Sequence, residues 1–132
     1  MLIQSCPIKA LHFVAPIPPS INMAYITDWR TKRRHLSKKA AYYKKELSAI
    51  LTKLRFETFK SDIELAFHFA FKDKKRRDLS NYIKILEDCL VENSVLIDDS
   101  KVEILLVSRL KADKENPHVE IVIAGRTEGN IP

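Results

Sequence analysis

The stretch Asp62–Lys72, DIELAFHFAFK, constrains the fold more than any other part of the chain. Ile63, Leu65, Phe67, Phe69 and Phe71 recur at every second position, so an extended backbone lines them up on one face. Asp62, Glu64, Ala66, His68 and Ala70 take the other face, which is expected to be less completely buried. A strand this apolar on one side cannot stand alone. It needs neighbouring strands and a layer of helix to cover it.

The rest of the chain supplies both. Residues 8–15, IKALHFVA, alternate well enough for a first strand, with Leu11, Phe13 and Ala15 sharing a face. Pro16, Pro18 and Pro19 end it. Residues 21–36 show no clean period and read as a basic loop or arm carrying Trp29. Ser37 is placed to cap a helix over about 37–55, whose stripe is Ala40, Tyr43, Leu47, Ile50, Leu51 and Leu54. The lysines outside that stripe suit an ordinary solvated face. A second helix spans about 80–92, with Tyr82, Ile83, Leu86, Cys89 and Leu90 on its buried side. Residues 101–110 and 118–124 read as two further strands, and the polar link Lys111–Pro117 is compatible with a hairpin.

The expected fold class is α+β: a mixed sheet of about four strands with two packed helices, in the order β-α-β-α-β-β. The 132 residues form one domain on this reading, with the basic loop at about 21–36 as its one irregular segment. With only two glycines, turns that need a positive φ are expected to use Asn or Asp.

Charge divides the chain unevenly. Residues 1–77 hold 17 Lys/Arg against 6 Asp/Glu, whereas residues 78–132 hold 6 against 11. A uniformly basic scaffold is thereby excluded. The first part is suited to a polyanion, of which nucleic acid is the commonest. Cys6 and Cys89 form no CxxC pair, which argues against a cysteine-built zinc site and fits a reduced, cytoplasmic setting. Nothing after the first residues resembles a cleavage signal, and no 18-residue apolar run occurs, so no membrane association is expected.

The two halves of this charge pattern meet at Lys74-Lys75-Arg76-Arg77-Asp78-Leu79-Ser80-Asn81. Asp78 or Ser80 could simply cap the adjoining helix. A basic run against a carboxylate is also what a phosphate backbone and a divalent cation would use together. Asp98 and Asp99 return just before a strand and could share a site with Asp78. Carboxylates with spare coordination positions suit Mg²⁺ better than zinc. Lys84 lies one helical turn beyond Ser80, where its ammonium could neutralise charge on a phosphate. A plain ion pair with Asp88 at i,i+4 is the alternative. The histidines show no metal-binding spacing, and no serine stands in a triad arrangement. Trp29 and Tyr25 could be wedges or stacking groups, or ordinary packing.

Three motifs in order resemble the RusA-type Holliday junction resolvases, small endodeoxyribonucleases often carried by phages and prophages. PIPPSIN, Pro16–Asn22, is similar to that family's N-terminal Pro-Pro-Ser-Asn motif. RRDLSNYIK, Arg76–Lys84, is similar to its central basic motif with aspartates, an asparagine and a lysine. LIDDSKV, Leu96–Val102, is similar to its final Asp-Asp motif. The resemblance covers about residues 11–124. It implies a homodimer that nicks opposed strands of a four-way junction, leaving 5′-phosphate and 3′-hydroxyl ends. It implies Mg²⁺, with Mn²⁺ as a substitute, and no nucleotide cofactor. By position it assigns Asp78, Lys84 and Asp99 to catalysis. Asp78 and Asp99 would hold the metal, with Asp98 as a further acidic neighbour. Together with the charge pattern it points to Lys74, Lys75, Arg76, Arg77, Asn81, Asn22, Arg33 and Arg34 as DNA contacts.

One position departs from the family pattern. Its second catalytic aspartate corresponds to Ser80, and a neutral hydroxyl is a poor magnesium ligand. Glu87 shares the helix face of Ser80 but lies about 10 Å further along the axis. Junction cleavage, junction binding without cleavage, and cleavage of other branched or flapped nucleic acids are therefore all kept as readings of the residues.

Overall fold

The structure is a computed structural model that describes residues 9–125. Cys6 and Ile8 lie outside the described residues. The aromatic strand forms as its alternation requires. It is β4 (Ile63–Ala70), and Ile63, Leu65, Phe67 and Phe69 are fully or almost fully buried, with Phe71 continuing the row. It lies inside a four-stranded mixed sheet in which β1 (Ala10–Ala15) and β4 flank β6 (His118–Gly125), and β5 (Val102–Arg109) pairs with β4 on its other side. β6 is antiparallel to both neighbours, and β4 is parallel to β5.

This order corrects one expectation. β5 and β6 are not a hairpin, because β4 lies between them. After β5 the chain runs on beside β4, with the Leu110 amide donating to the Phe69 carbonyl and that of Asp113 to Phe71. It then crosses to the opposite side of the strand. The reason is burial. Val119, Ile121 and Ile123 of β6 are completely enclosed, as suits a strand paired on both sides with one face in the core. β5 takes the edge and leaves Ile104, Leu105 and Leu106 substantially exposed.

The helices cover the aromatic face. α2 (Lys38–Lys53) begins where Ser37 accepts the Ala40 amide at 3.1 Å, and it buries Ala40, Tyr43, Leu47 and Leu51. The Tyr43 hydroxyl donates to the Pro16 carbonyl at 2.7 Å, which ties the proline segment to this helix. Its burial raises the phenol above its ordinary pKa. α3 (Ile83–Glu92) is preceded by a 3₁₀ turn over Leu79–Tyr82. That turn has three residues per revolution rather than 3.6, so it shifts the phase of the helix beyond it. Within α3, Ile85 joins Leu86, Cys89 and Leu90 in the core, while Ile83 and the preceding Tyr82 stay half-buried.

The segment read as a basic loop is structured. It contains a short helix, α1 (Ile21–Ala24), and an antiparallel hairpin of β2 (Tyr25–Asp28) and β3 (Arg33–Leu36). Its strands are too short and too polar for alternation to register. Among the described non-glycine residues, the positive-φ positions are Lys32, at φ 57°, and Ser94, at φ 60°, rather than Asn or Asp. Lys32 closes the hairpin turn by donating its amide to the Asp28 carbonyl at 2.6 Å. Ser94 lies just past the end of α3, where the left-handed conformation ends a helix.

Candidate active site

α3 carries the acidic centre because both of its flanking connections bring carboxylates back to it. Asp78 caps the 3₁₀ turn that leads into α3, accepting from the Ser80 amide at 3.2 Å and from the Ser80 hydroxyl at 2.8 Å. The capping role is therefore real, and it falls to Asp78 rather than Ser80. Asp78 remains exposed. Ser80 stands where its hydroxyl donates to that carboxylate, as an uncharged neighbour.

Beyond α3 the chain returns through a second 3₁₀ turn, Asp99–Lys101, which packs on the helix before β5 begins. The Asp99 charge acts there on both Lys84 and Glu87. Lys84 is half-exposed and pairs with Asp88 Oδ1 at 3.1 Å. The hydrogen bond and charge of Asp88 hold its ammonium above the ordinary lysine pKa, and Asp99 adds to this. The i,i+4 ion pair and a role beside Asp99 thus coexist. Glu87 is half-buried, and its carboxyl is raised above the usual range first by burial and then by Asp99. Asp98 is exposed, and its pKa is lowered, first by the Ser100 hydroxyl donating to Oδ2 at 2.9 Å and then by its neighbour Asp99.

The structure thus brings together Asp99, Lys84, Glu87 and Asp88, and separately Asp78 with Ser80. Among the described residues no group of three or more His, Cys, Asp or Glu is gathered closely enough to hold a metal ion. The donor chemistry still fits a hard cation. Every candidate is a carboxylate, the oxygen donor that such a cation prefers.

The basic run is fastened by two arginines. Arg77 donates to Asp73 Oδ1 at 2.8 Å and to the Lys75 carbonyl at 3.1 Å. Arg109, at the end of β5, donates to the carbonyls of Asp73 at 3.0 Å and Lys75 at 2.7 Å. Both guanidinium groups lie over the Phe71 ring, at 4.6 and 5.0 Å. They fasten the segment, leaving Lys74, Lys75 and Arg76 exposed. Sequence reasoning missed Arg109. Its only signal was a lone cation closing an apolar strand. Asn81 is half-buried in the 3₁₀ turn, Asn22 is exposed on α1, and Arg33 and Arg34 are exposed on β3.

Residues 16–124, which contain every one of these groups, match the family described as Endodeoxyribonuclease RusA. The chain belongs to the RusA family. It is also 33% identical over 100 residues to the crossover junction endodeoxyribonuclease RusA of Enterobacteria phage HK97. That match covers 74% of this chain and 80% of the phage protein. The RusA match begins at the first proline of PIPPSIN and ends within β6, so it takes in both 3₁₀ turns, α3 and the basic hairpin.

Proposed function

We propose that this RusA-family chain is an endodeoxyribonuclease that resolves four-way DNA junctions as a homodimer, by paired symmetric cuts dependent on Mg²⁺. The observation that carries the reading is the set of charges around α3, Asp99 with Lys84 and Glu87, within a chain of this family whose Asp78 caps the turn leading into that helix. Carboxylates beside a phosphate repel it unless a cation intervenes, so a surface that only bound DNA would gain nothing from them.

In this reading Asp78 and Asp99 hold the metal, with Glu87 and Asp98 as neighbouring acids. Bound Mg²⁺ would supply charge neutralisation at the scissile phosphate and activation of the attacking water. Lys84, a cation paired with Asp88, stabilises negative charge as the phosphodiester opens. Lys74, Lys75 and Arg76 position the backbone without reading sequence. Two copies supply two such sites related by a two-fold axis, as symmetric incision of a junction requires.

The test is incision of matched four-way, flap and linear duplex substrates with Mg²⁺ or EDTA. Paired nicks on the four-way substrate alone, abolished by EDTA, are expected. Equal cutting of flap and junction would instead point to a broader branched-DNA nuclease. A second reading, junction binding without cleavage, is favoured by one observation: Ser80 places a hydroxyl where the family pattern has a carboxylate. Nicking by Ser80→Asp alone, with none by the parent chain, would establish it.

A further inference from the structure

We propose that Trp29 is a wedge that inserts into unstacked bases at the branch point of a DNA junction, on a hairpin built to present it. This rests on the DNA-junction reading above and adds to it a residue that recognises the branch. Trp29 is 86% exposed, although it is the largest side chain of the protein. Single exposed apolar residues are common, but one so large and so fully bared needs a reason.

The structure around it supplies one. Trp29 stands at the first position of the turn joining β2 to β3. Asp28 organises that turn twice, its carboxylate accepting the Arg30 amide at 2.9 Å and its carbonyl accepting the Lys32 amide at 2.6 Å. The tip is therefore shaped before anything binds. At its base the hairpin is fastened to the core. The Ser37 amide donates to the Ala24 carbonyl at 2.8 Å, and the Ser37 hydroxyl to the Met23 carbonyl at 2.8 Å. Ala24 is completely buried. The hairpin is thus a fixed arm with an aromatic end.

Charge identifies the occupant. Arg30 and Lys32 lie in the turn and Arg33 and Arg34 follow it on β3, against the single carboxylate of Asp28. An apolar ring amid cations matches a nucleic acid, whose bases take the ring and whose phosphates take the cations. Continuous duplex offers little to such a wedge, because its bases are stacked on both sides. At a branch point the stack is already broken, and inserting an aromatic costs least there. Tyr25, the other aromatic of the hairpin, is unsuited. It is half-buried against the core, with the Arg34 guanidinium over its ring at 5.2 Å.

Trp29 is the only tryptophan of the chain, so its own fluorescence reads the contact. Asp78→Asn protein, used to prevent cleavage, is titrated with a four-way junction and with linear duplex of the same sequences. Binding is followed separately by anisotropy of labelled DNA. The expected result is strong quenching of Trp29, and its protection from acrylamide, on the junction but not on duplex at equal saturation. Trp29→Ala should lower the preference for junction over duplex by at least about fivefold, the low end for loss of one stacked base, and Trp29→Phe should restore most of it. Junction binding that leaves Trp29 emission and acrylamide access unchanged overturns the wedge alone. Undiminished preference in Trp29→Ala does the same. No binding to either DNA by anisotropy overturns the junction reading together with it.

Discussion

The acidic corner at α3 and the basic hairpin of β2 and β3 are built on opposite principles. α3 is embedded, since Leu86, Cys89 and Leu90 are completely buried and the sheet lies beneath them. The hairpin touches the core mainly at its base, through Ala24, Tyr25 and Leu36, while its tip meets solvent. On the function proposed above, the contrast reflects what each has to do. Charges that must meet a reacting phosphate tolerate little misplacement, so the helix that carries them is anchored in close-packed surroundings. Gripping a long polyanion needs reach and charge, which exposed and shorter elements supply.

The comparison breaks first at the carboxylates. Asp78→Asn and Asp99→Asn keep shape but remove charge, and each should lower the nicking rate by at least about 100-fold. Folding, followed by circular dichroism, and junction binding should be largely unchanged. Full activity in both variants would remove the catalytic assignment. Ser80→Ala should do far less, because its hydroxyl serves Asp78 rather than a metal.

Stability should separate the regions next. Leu86→Ala opens a cavity under the acidic corner and is expected to cost about 2–5 kcal/mol, read by urea unfolding. Trp29→Ala removes an exposed ring and should stay within about 0.5 kcal/mol of the parent. A large loss in the second variant would mean that the hairpin is part of the core after all.

The basic run offers a finer contrast between neighbours. Arg76 is exposed, whereas Arg77 is bound to Asp73 and Lys75. Arg76→Ala should reduce the slope of log K against log salt by roughly one, and Arg77→Ala should instead loosen the segment and lower the thermal midpoint. Equal slopes for parent and Arg76→Ala would show that this residue does not meet the backbone.

The smallest effect concerns Asp73. The Arg77 hydrogen bond, and then that of the Lys75 amide, hold its carboxyl below the ordinary value of 3.8. A depressed carboxylate stabilises the fold above its unfolded pKa, and the contribution fades as pH falls through the folded one. Asp73→Ala should therefore melt slightly below the parent at neutral pH. The two midpoints should converge as the pH drops below 3.8. Thermal scans across that range test this, and a gap that persists in acid would assign the difference to packing.

Much of the fold was legible because period and burial agree. The alternation through Phe67 and Phe69 and the stripe through Tyr43, Leu47 and Leu51 return in the structure as buried faces. The α+β class and the Ser37 cap obey the same local rules. The β2–β3 hairpin was not legible. Four-residue strands with charged side chains carry no apolar period, and the turn uses Lys32 where Gly or Asn would have announced it. Asp78, Lys84 and Asp99 were singled out as candidates through the resemblance of their motifs to the RusA family. The Lys84–Asp88 pair was legible too, as an i,i+4 spacing, whereas the return of Asp99 to Lys84 and Glu87 was not.

By itself, then, the sequence determined which segments are extended or helical, which faces are greasy, and where basic and acidic stretches meet. These are short-range properties, set by backbone geometry and by side chains a few positions apart. Only the tertiary structure decided that β6 lies between β1 and β4, and that Arg109 reaches back to the basic segment. It also decided that Asp99 returns to Lys84 and Glu87. Strand order depends on which apolar surfaces cover one another most completely, a property of the whole chain that no local spacing encodes.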